Sequence, residues 1–169
     1  MRVVGIDPGL SGAVALVWPA TPETVTTWDT PTVLVKVGTH QRRDYDAAAM
    51  VNVLVVANPG LVILERPHAM PKSMGGSLAS FSLGRGVGVW EGILAALRFR
   101  YELVSPQRWK QYFQLLGQPK DASRLKAARL FPSAELHLKK HDGRAEALLL
   151  AEYGRHIHGV HEDARACGV

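Results

Sequence analysis

Four acids in this chain stand where carboxylates are costly. Asp7 ends the apolar run RVVGI, and Glu65 ends a second run, GLVILE, over residues 60–65. Asp142 and Glu146 open the segment KKHDGRAEALLLAEYGR, residues 139–155, beside the uniformly apolar stretch 147–151. A carboxylate next to such a run is unfavourable unless something pairs with it. Each acid also has an ordinary reading. Asp7 before Pro8-Gly9 is good turn chemistry, and Glu65 can mark where a buried strand meets water. Asp142 can cap a helix, and Glu146 can sit at the edge of a stripe with Leu149, Leu150 and Tyr153. Taken together they point elsewhere. Two parallel neighbouring strands would bring Asp7 and Glu65 to one sheet edge, where ligand sites of open α/β sheets lie. The i, i+4 spacing puts Asp142 and Glu146 about 40° apart around a helix. Carboxylates packed this closely repel, and hard divalent cations with oxygen ligands relieve the repulsion. Two Mg²⁺ ions about 3.5–4 Å apart would clamp the attacking and leaving oxygens of a phosphodiester displacement.

The elements that must position these acids follow from pattern. Residues 2–6, 12–18 and 24–30 read as three strands of an antiparallel meander, joined by short connections. Residues 31–43 read as irregular, ending in Arg42-Arg43. Aliphatic residues at helical spacing predict a helix over 44–57, stopped by Asn58-Pro59-Gly60. GLVILERP is a strand of the fully buried type, followed by a glycine-containing loop over 68–76. A long helix is expected from Ser77 to about Arg98 despite Gly84, Gly86, Gly88 and Gly92. Each such glycine costs about 1 kcal/mol in a helix, so close packing or a loop-like start should account for them. Residues 101–105 form a fifth strand, and two short helices start at caps Ser105 and Asp121. The segment at 139–155 is the last helix. This order predicts an α/β fold, one mixed five-stranded sheet with right-handed crossovers and helices packed on it. At 169 residues a single domain, 1–169, is expected.

Composition narrows the classes. Hydrophobic residues are 47% and charged residues 21%, ordinary for a globular protein. A lone cysteine, Cys167, offers neither a disulfide framework nor a cysteine zinc site, so a reducing cytoplasm is expected. Neither a signal pattern nor an apolar run of membrane-spanning length is present. Net charge is +5, with pI near 9.6. Between Arg98 and Arg144 there are 11 Lys and Arg against 4 Asp and Glu, which makes this half the polyanion-facing part.

Three stretches together carry a family likeness: VVGIDPGLSGAVAL, LVILERPHAMPKSMGG with SFSLGRGVGVWEGIL, and DGRAEALLLA. They resemble the RuvC-type Holliday junction resolvases, particularly the short phage-like members, within the RNase H-like (retroviral integrase) superfamily. The similarity spans residues 1 to about 157. It implies an RNase H-like sheet with helices on both faces. The activity implied is that of a homodimer nicking two opposed strands of a four-way DNA junction with Mg²⁺ or Mn²⁺. It further implies that one ion activates water, which attacks in line and leaves a 5′-phosphate and a 3′-hydroxyl, and that neither a membrane nor a small-molecule cofactor takes part. The setting would be the nucleoid, or a host cytoplasm if the chain is phage-encoded. On matching positions Asp7 and Glu65 look like the first and second metal-binding carboxylates. Glu146 matches a final acid that in many relatives is Asp. The third acid of bacterial relatives falls here on Gly143, so Asp142 or His141 is the stand-in. His68 lies where relatives place an aromatic at the junction centre, or is a plain loop histidine. Lys72, Arg85, Arg108, Lys110, Lys120, Arg124, Lys139, Lys140 and Arg144 would contact phosphates, against the ordinary reading as solvated charge. Trp90 suits a dimer-interface helix or the core, and Trp109 suits the core.

Three other readings compete. One is a non-cleaving junction-binding protein with an impaired metal site. Another is a related nuclease acting on other branched DNA or RNA–DNA hybrids. GIDPG also resembles the first phosphate loop of actin-like kinases and ATPases, but that fold needs a second phosphate loop and usually a second domain.

Overall fold

The structure, a computed structural model, describes residues 1–18, 24–68 and 76–159. Strands β1 (Val3–Asp7), β2 (Ala13–Val17) and β3 (Val25–Asp29) form the expected antiparallel meander. Two more strands follow as β4 (Thr32–Val37) and β5 (His40–Tyr45), paired with each other in a separate hairpin. Helix α1 (Ala47–Ala57) then leads to β6 (Leu61–Glu65), which lies parallel to β1. Helix α2 (Gly76–Ala96) leads to β7 (Tyr101–Val104), parallel to β6. The main sheet therefore has five strands in the order β3-β2-β1-β6-β7. Helices α3 (Pro106–Tyr112), α4 (Ala122–Leu130) and α5 (Asp142–Ile157) complete the described chain.

Both faces of the central strands are covered, which is why those strands are apolar without alternation. Val3, Ala13, Ala15, Leu61 and Ile63 face one core, with α5 and the inward side chains of α3 and α4. Val4, Ile6, Val14, Val62 and Leu64 face the other, with α1 and α2. Helix α5 lies directly on β1. Any side chain at Gly5 would overlap the carbonyl of Ala147 and the amide of Ala151, so glycine alone permits the approach. Nearly all of α5 is buried as a result, and its apolar run at 147–151 packs against the sheet on one side and α3 and α4 on the other.

Several local expectations change. Residues 31–43 are largely the β4–β5 hairpin, closed by a two-residue turn in which Gly38 takes φ +61°. The alternation of Val33, Val35 and Val37 with Thr32, Leu34 and Lys36 carries the strand signal. It passes as irregular because most of the hairpin's side chains remain exposed. Helix α1 starts later than 44, because Asp44 and Tyr45 end β5 and Asp46 caps the helix by accepting from the Ala49 amide at 3.0 Å. Ser105 caps α3 as expected, whereas Asp121 makes no side-chain cap to α4. Residues 139–141 form a tight 3₁₀ turn, so Asp142 is the first residue of α5 rather than its cap. Trp90 is fully buried in the α1–α2 core. Of the α2 glycines, Gly86 meets the Tyr45 hydroxyl and the Pro8 carbonyl, while Gly84, Gly88 and Gly92 face open space.

Candidate active site

The strand register explains how two distant acids meet. Ile6 pairs with Leu64 in the parallel β1–β6 ladder, so the next residues, Asp7 and Glu65, reach the same C-terminal edge. Two-residue periodicity puts Asp7 on the face of Val3 and Gly5, and Glu65 on the face of Leu61 and Ile63. That is the face α5 covers, and α5 brings Glu146 down onto it. Glu146 acts electrostatically on Asp7, and Asp7 and Glu146 both act on Glu65.

The environment penalises their charges. Burial, and after it Glu146, push the Asp7 carboxyl up to about 6. The Gly9 amide, donating to Asp7 Oδ1 at 3.1 Å, and Lys110 oppose that rise. Glu65 is 7% exposed, and burial, then Asp7, then Glu146 push it up to about 8. The hydrogen bond from Trp109 and the charge of Lys110 hold it lower than it would otherwise be. Two adjacent residues of α3 thus serve the acids. The Trp109 indole Nε1–H donates to Glu65 Oε1 at 2.9 Å, and the Lys110 ammonium lies 3.2 Å from Glu146 Oε1. Strongly shifted carboxylates gathered at a sheet edge are what acid–base and metal sites look like.

The structure leaves Asp142 and His141 out of this group. The Arg124 guanidinium meets Asp142 at 3.2 Å, and Asp142 is not among the charges acting on Asp7 or Glu65. The His141 ring is buried edge-on to His137, with ring centres 5.4 Å apart, and its Nδ1 has no hydrogen-bond partner among the described residues. Burial, then the charge of Arg144, lower its pKa. Gly143, between Asp142 and Arg144, is pressed against the β1–β2 turn. A Cβ there would lie 2.6 Å from the Ser11 carbonyl oxygen.

The basic candidates divide into groups. Lys120, Arg124, Lys139 and Lys140 line one basin of about 570 Å³ together with Asp121 and Asp142. His68 and Arg108 line a cleft of about 510 Å³ beside the end of β6. Lys110 sits among the acids. Arg85 is bound to Asp44, and Arg144 grips Asp29 through two bonds of 2.6 and 2.9 Å. Lys72 lies outside the described residues.

Two residues beside the candidate site were not among the sequence candidates for it. Arg66 lines the same cleft as His68 and Arg108, and its place directly after Glu65 was the available signal. Trp109 is core, as expected, yet its polar atom reaches Glu65. Its position at the start of a helix leaving the same sheet edge was the clue.

No protein-family model matches the chain, and no curated protein matches it in sequence. Among solved structures, RuvC from Thermus thermophilus superposes with a TM-score of 0.58 at 17% identity, covering 95% of this chain and 98% of that one. The same organism's RuvC in complex with Holliday junction substrate gives 0.57 at 16% identity, with the same coverage. The yeast mitochondrial Holliday junction resolvase Ydc2 is more distant, at 0.48 and 14% identity over 98% of this chain and 84% of that one. The chain has the fold of the RuvC-type, RNase H-like proteins.

Proposed function

We propose that this protein is a divalent-metal-dependent DNA endonuclease that resolves four-way junctions by paired nicks, working as a homodimer. The observation that carries the reading is the convergence of Asp7, Glu65 and Glu146 from β1, β6 and α5 on a RuvC-like sheet. Junction DNA as substrate is supported by the likeness to a RuvC bound to it, by the basic basin at the start of α5 and by the cleft beside the end of β6.

The donor set suits Mg²⁺ or Mn²⁺, since three carboxylates are hard oxygen ligands. Among the described residues no three acids or histidines stand close enough to ligate one ion. Mg²⁺ needs only one or two carboxylates and keeps several waters, so the electrostatically linked Asp7, Glu65 and Glu146 suit it, and Lys110 offsets part of their charge. Asp7, Glu65 and Glu146 would hold the ion. When bound, it would supply Lewis-acid polarisation of the phosphodiester and activation of the attacking water. The chain's own residues do the rest. Lys110 limits repulsion among the acids, and Lys120, Lys139 and Lys140 hold the backbone of an arm through its phosphates. For the dimer, Phe81 is 70% exposed on α2, and Gly84, Gly88 and Gly92 follow at spacings that leave a small-residue face for a second copy.

The test compares Mg²⁺-dependent cleavage of a synthetic four-way junction with that of a matched linear duplex, for wild type and Asp7→Asn. Symmetric nicking of the junction by wild type alone is expected. Tight junction binding without cleavage would favour the non-cleaving reading, and equal cutting of the duplex would remove junction selectivity.

A further inference from the structure

We propose that Trp109 is a positioning residue for the acid site: its indole N–H, 2.9 Å from Glu65 Oε1, fixes the orientation in which that carboxylate meets a divalent cation. The inference rests on the metal-dependent reading above and adds a residue to it.

The geometry is constrained on both sides. Trp109 is fully buried and Glu65 is 7% exposed, so neither side chain has room to reorient. An indole carries one N–H and no acceptor, so its only polar act here is to donate to the carboxylate. No other hydrogen bond reaches the Glu65 side chain among the described residues. The route from sheet to indole is short. Glu65 pairs with Val104 in the β6–β7 ladder. Ser105 then caps α3, its side chain accepting from the Arg108 amide, and Trp109 follows within the first turns. The ring is locked in the core that also holds Phe113, Leu148 and Ile63. The indole is therefore as rigid as the strand end it serves.

Its neighbour Lys110 makes a useful contrast. An ammonium and a metal ion compete for the same negative charge, so the contact with Glu146 weakens as a cation binds. A neutral N–H does not compete in that way. It can hold one oxygen of Glu65 in both states, as outer-shell donors do for ligands in known metal sites. Removing such a partner typically weakens metal binding about 10–100-fold.

Trp109→Phe keeps an aromatic ring in the core and deletes the donor. Calorimetric titration of the full-length protein with Mn²⁺ should show binding weakened about tenfold or more relative to wild type. Junction cleavage should fall at limiting Mn²⁺ and largely return at saturating Mn²⁺, a split that a general loss of folding would not produce. A second measurement uses wild type labelled with ¹⁵N-tryptophan, which has four indole resonances. The one that shifts in Glu65→Gln should also shift on adding Mg²⁺, so the proposal stays testable even if Trp109→Phe does not fold. Equal Mn²⁺ affinity in wild type and Trp109→Phe, or an indole signal indifferent to Mg²⁺, overturns the positioning role while leaving the metal reading intact. Failure of wild type to bind Mn²⁺ at all overturns the metal reading and this inference with it.

Discussion

The Lys110 ammonium lies 3.2 Å from Glu146 Oε1, and the same charge pulls down on both Asp7 and Glu65. One cation thus faces three acidic side chains. Lys110→Met should therefore destabilise the metal-free protein. The pair is partly exposed, so the loss is about 1 kcal/mol, or roughly 2–4 °C in Tm. Added Mg²⁺ should restore most of it. Thermal unfolding in chelator and in Mg²⁺ checks this. An equal loss in both conditions would mean that the lysine acts through the packing of its stem rather than its charge.

The raised carboxyl groups set a pH dependence. Folded protein keeps protons on Asp7 up to about pH 6 and on Glu65 up to about pH 8, whereas an unfolded chain releases them near pH 4. Between those values the folded state binds more protons, so stability falls as pH rises. Metal-free protein should lose stability from about pH 4 to about pH 8. Asp7→Asn should flatten the lower part of that decline and Glu65→Gln the upper part. At pH 8 Glu65→Gln should be more stable than wild type by on the order of 1–3 kcal/mol, yet should not cleave. Denaturant titrations across pH give the curves. Parallel curves for wild type and both variants would contradict the assignment.

The architecture was readable because burial on both faces writes itself as uninterrupted apolar runs. VVGI and LVILE announced parallel central strands, and their last residues announced the acid edge. Glu146 was readable because a charge within the α5 pattern needed a reason. What escaped depended on contacts between distant segments. Nothing local tells Asp142 that Arg124, eighteen positions earlier, will take it. Gly143 likewise gives no sign that the Ser11 carbonyl will lie against it. The hairpin at 32–45 was missed because it belongs to no buried sheet, so its strands carry charge on their exposed positions. Arg85 and Arg144 look like free cations in sequence and become ion-paired only when α2 meets Asp44 and α5 meets Asp29.

The basin and the tether should respond differently to substitution. Lys139 and Lys140 line open space with Lys120 and Arg124, so replacing both by alanine should weaken junction binding and lower the salt slope by about 1.8. Arg144 is already held by Asp29 through two bonds, so Arg144→Ala should leave the slope unchanged. It should instead cost about 1 kcal/mol of stability, because Asp29 is well exposed. Junction affinity measured from low to moderate salt separates the two. A reduced slope for Arg144→Ala would show that DNA draws this arginine away from Asp29.

Gly143 offers the sharpest test of whether the start of α5 can carry a further acid of the site. Gly143→Asp would place a carboxylate three residues before Glu146, where the resemblance to RuvC-type resolvases implies an acid. Its Cβ would lie 2.6 Å from the Ser11 carbonyl oxygen and 2.9 Å from the Gly12 Cα. That turn cannot give way easily, since the Gly12 amide donates to the Gly9 carbonyl and the Gly12 carbonyl accepts from the Thr30 amide, both at 2.9 Å. Helix α5 would have to lift, and Glu146 would move with it away from Asp7. Gly143→Ala alone should then cost about 1–3 kcal/mol and depress cleavage, with Gly143→Asp no better. Asp142→Ala, which removes the Arg124 pair and the acid in the first turn of α5, should leave cleavage at saturating Mg²⁺ near wild type. Nicking rates and Tm for the three variants decide the matter: a gain of activity in Gly143→Asp, or its loss in Asp142→Ala, would add a fourth acid, at the start of α5, to the proposed site.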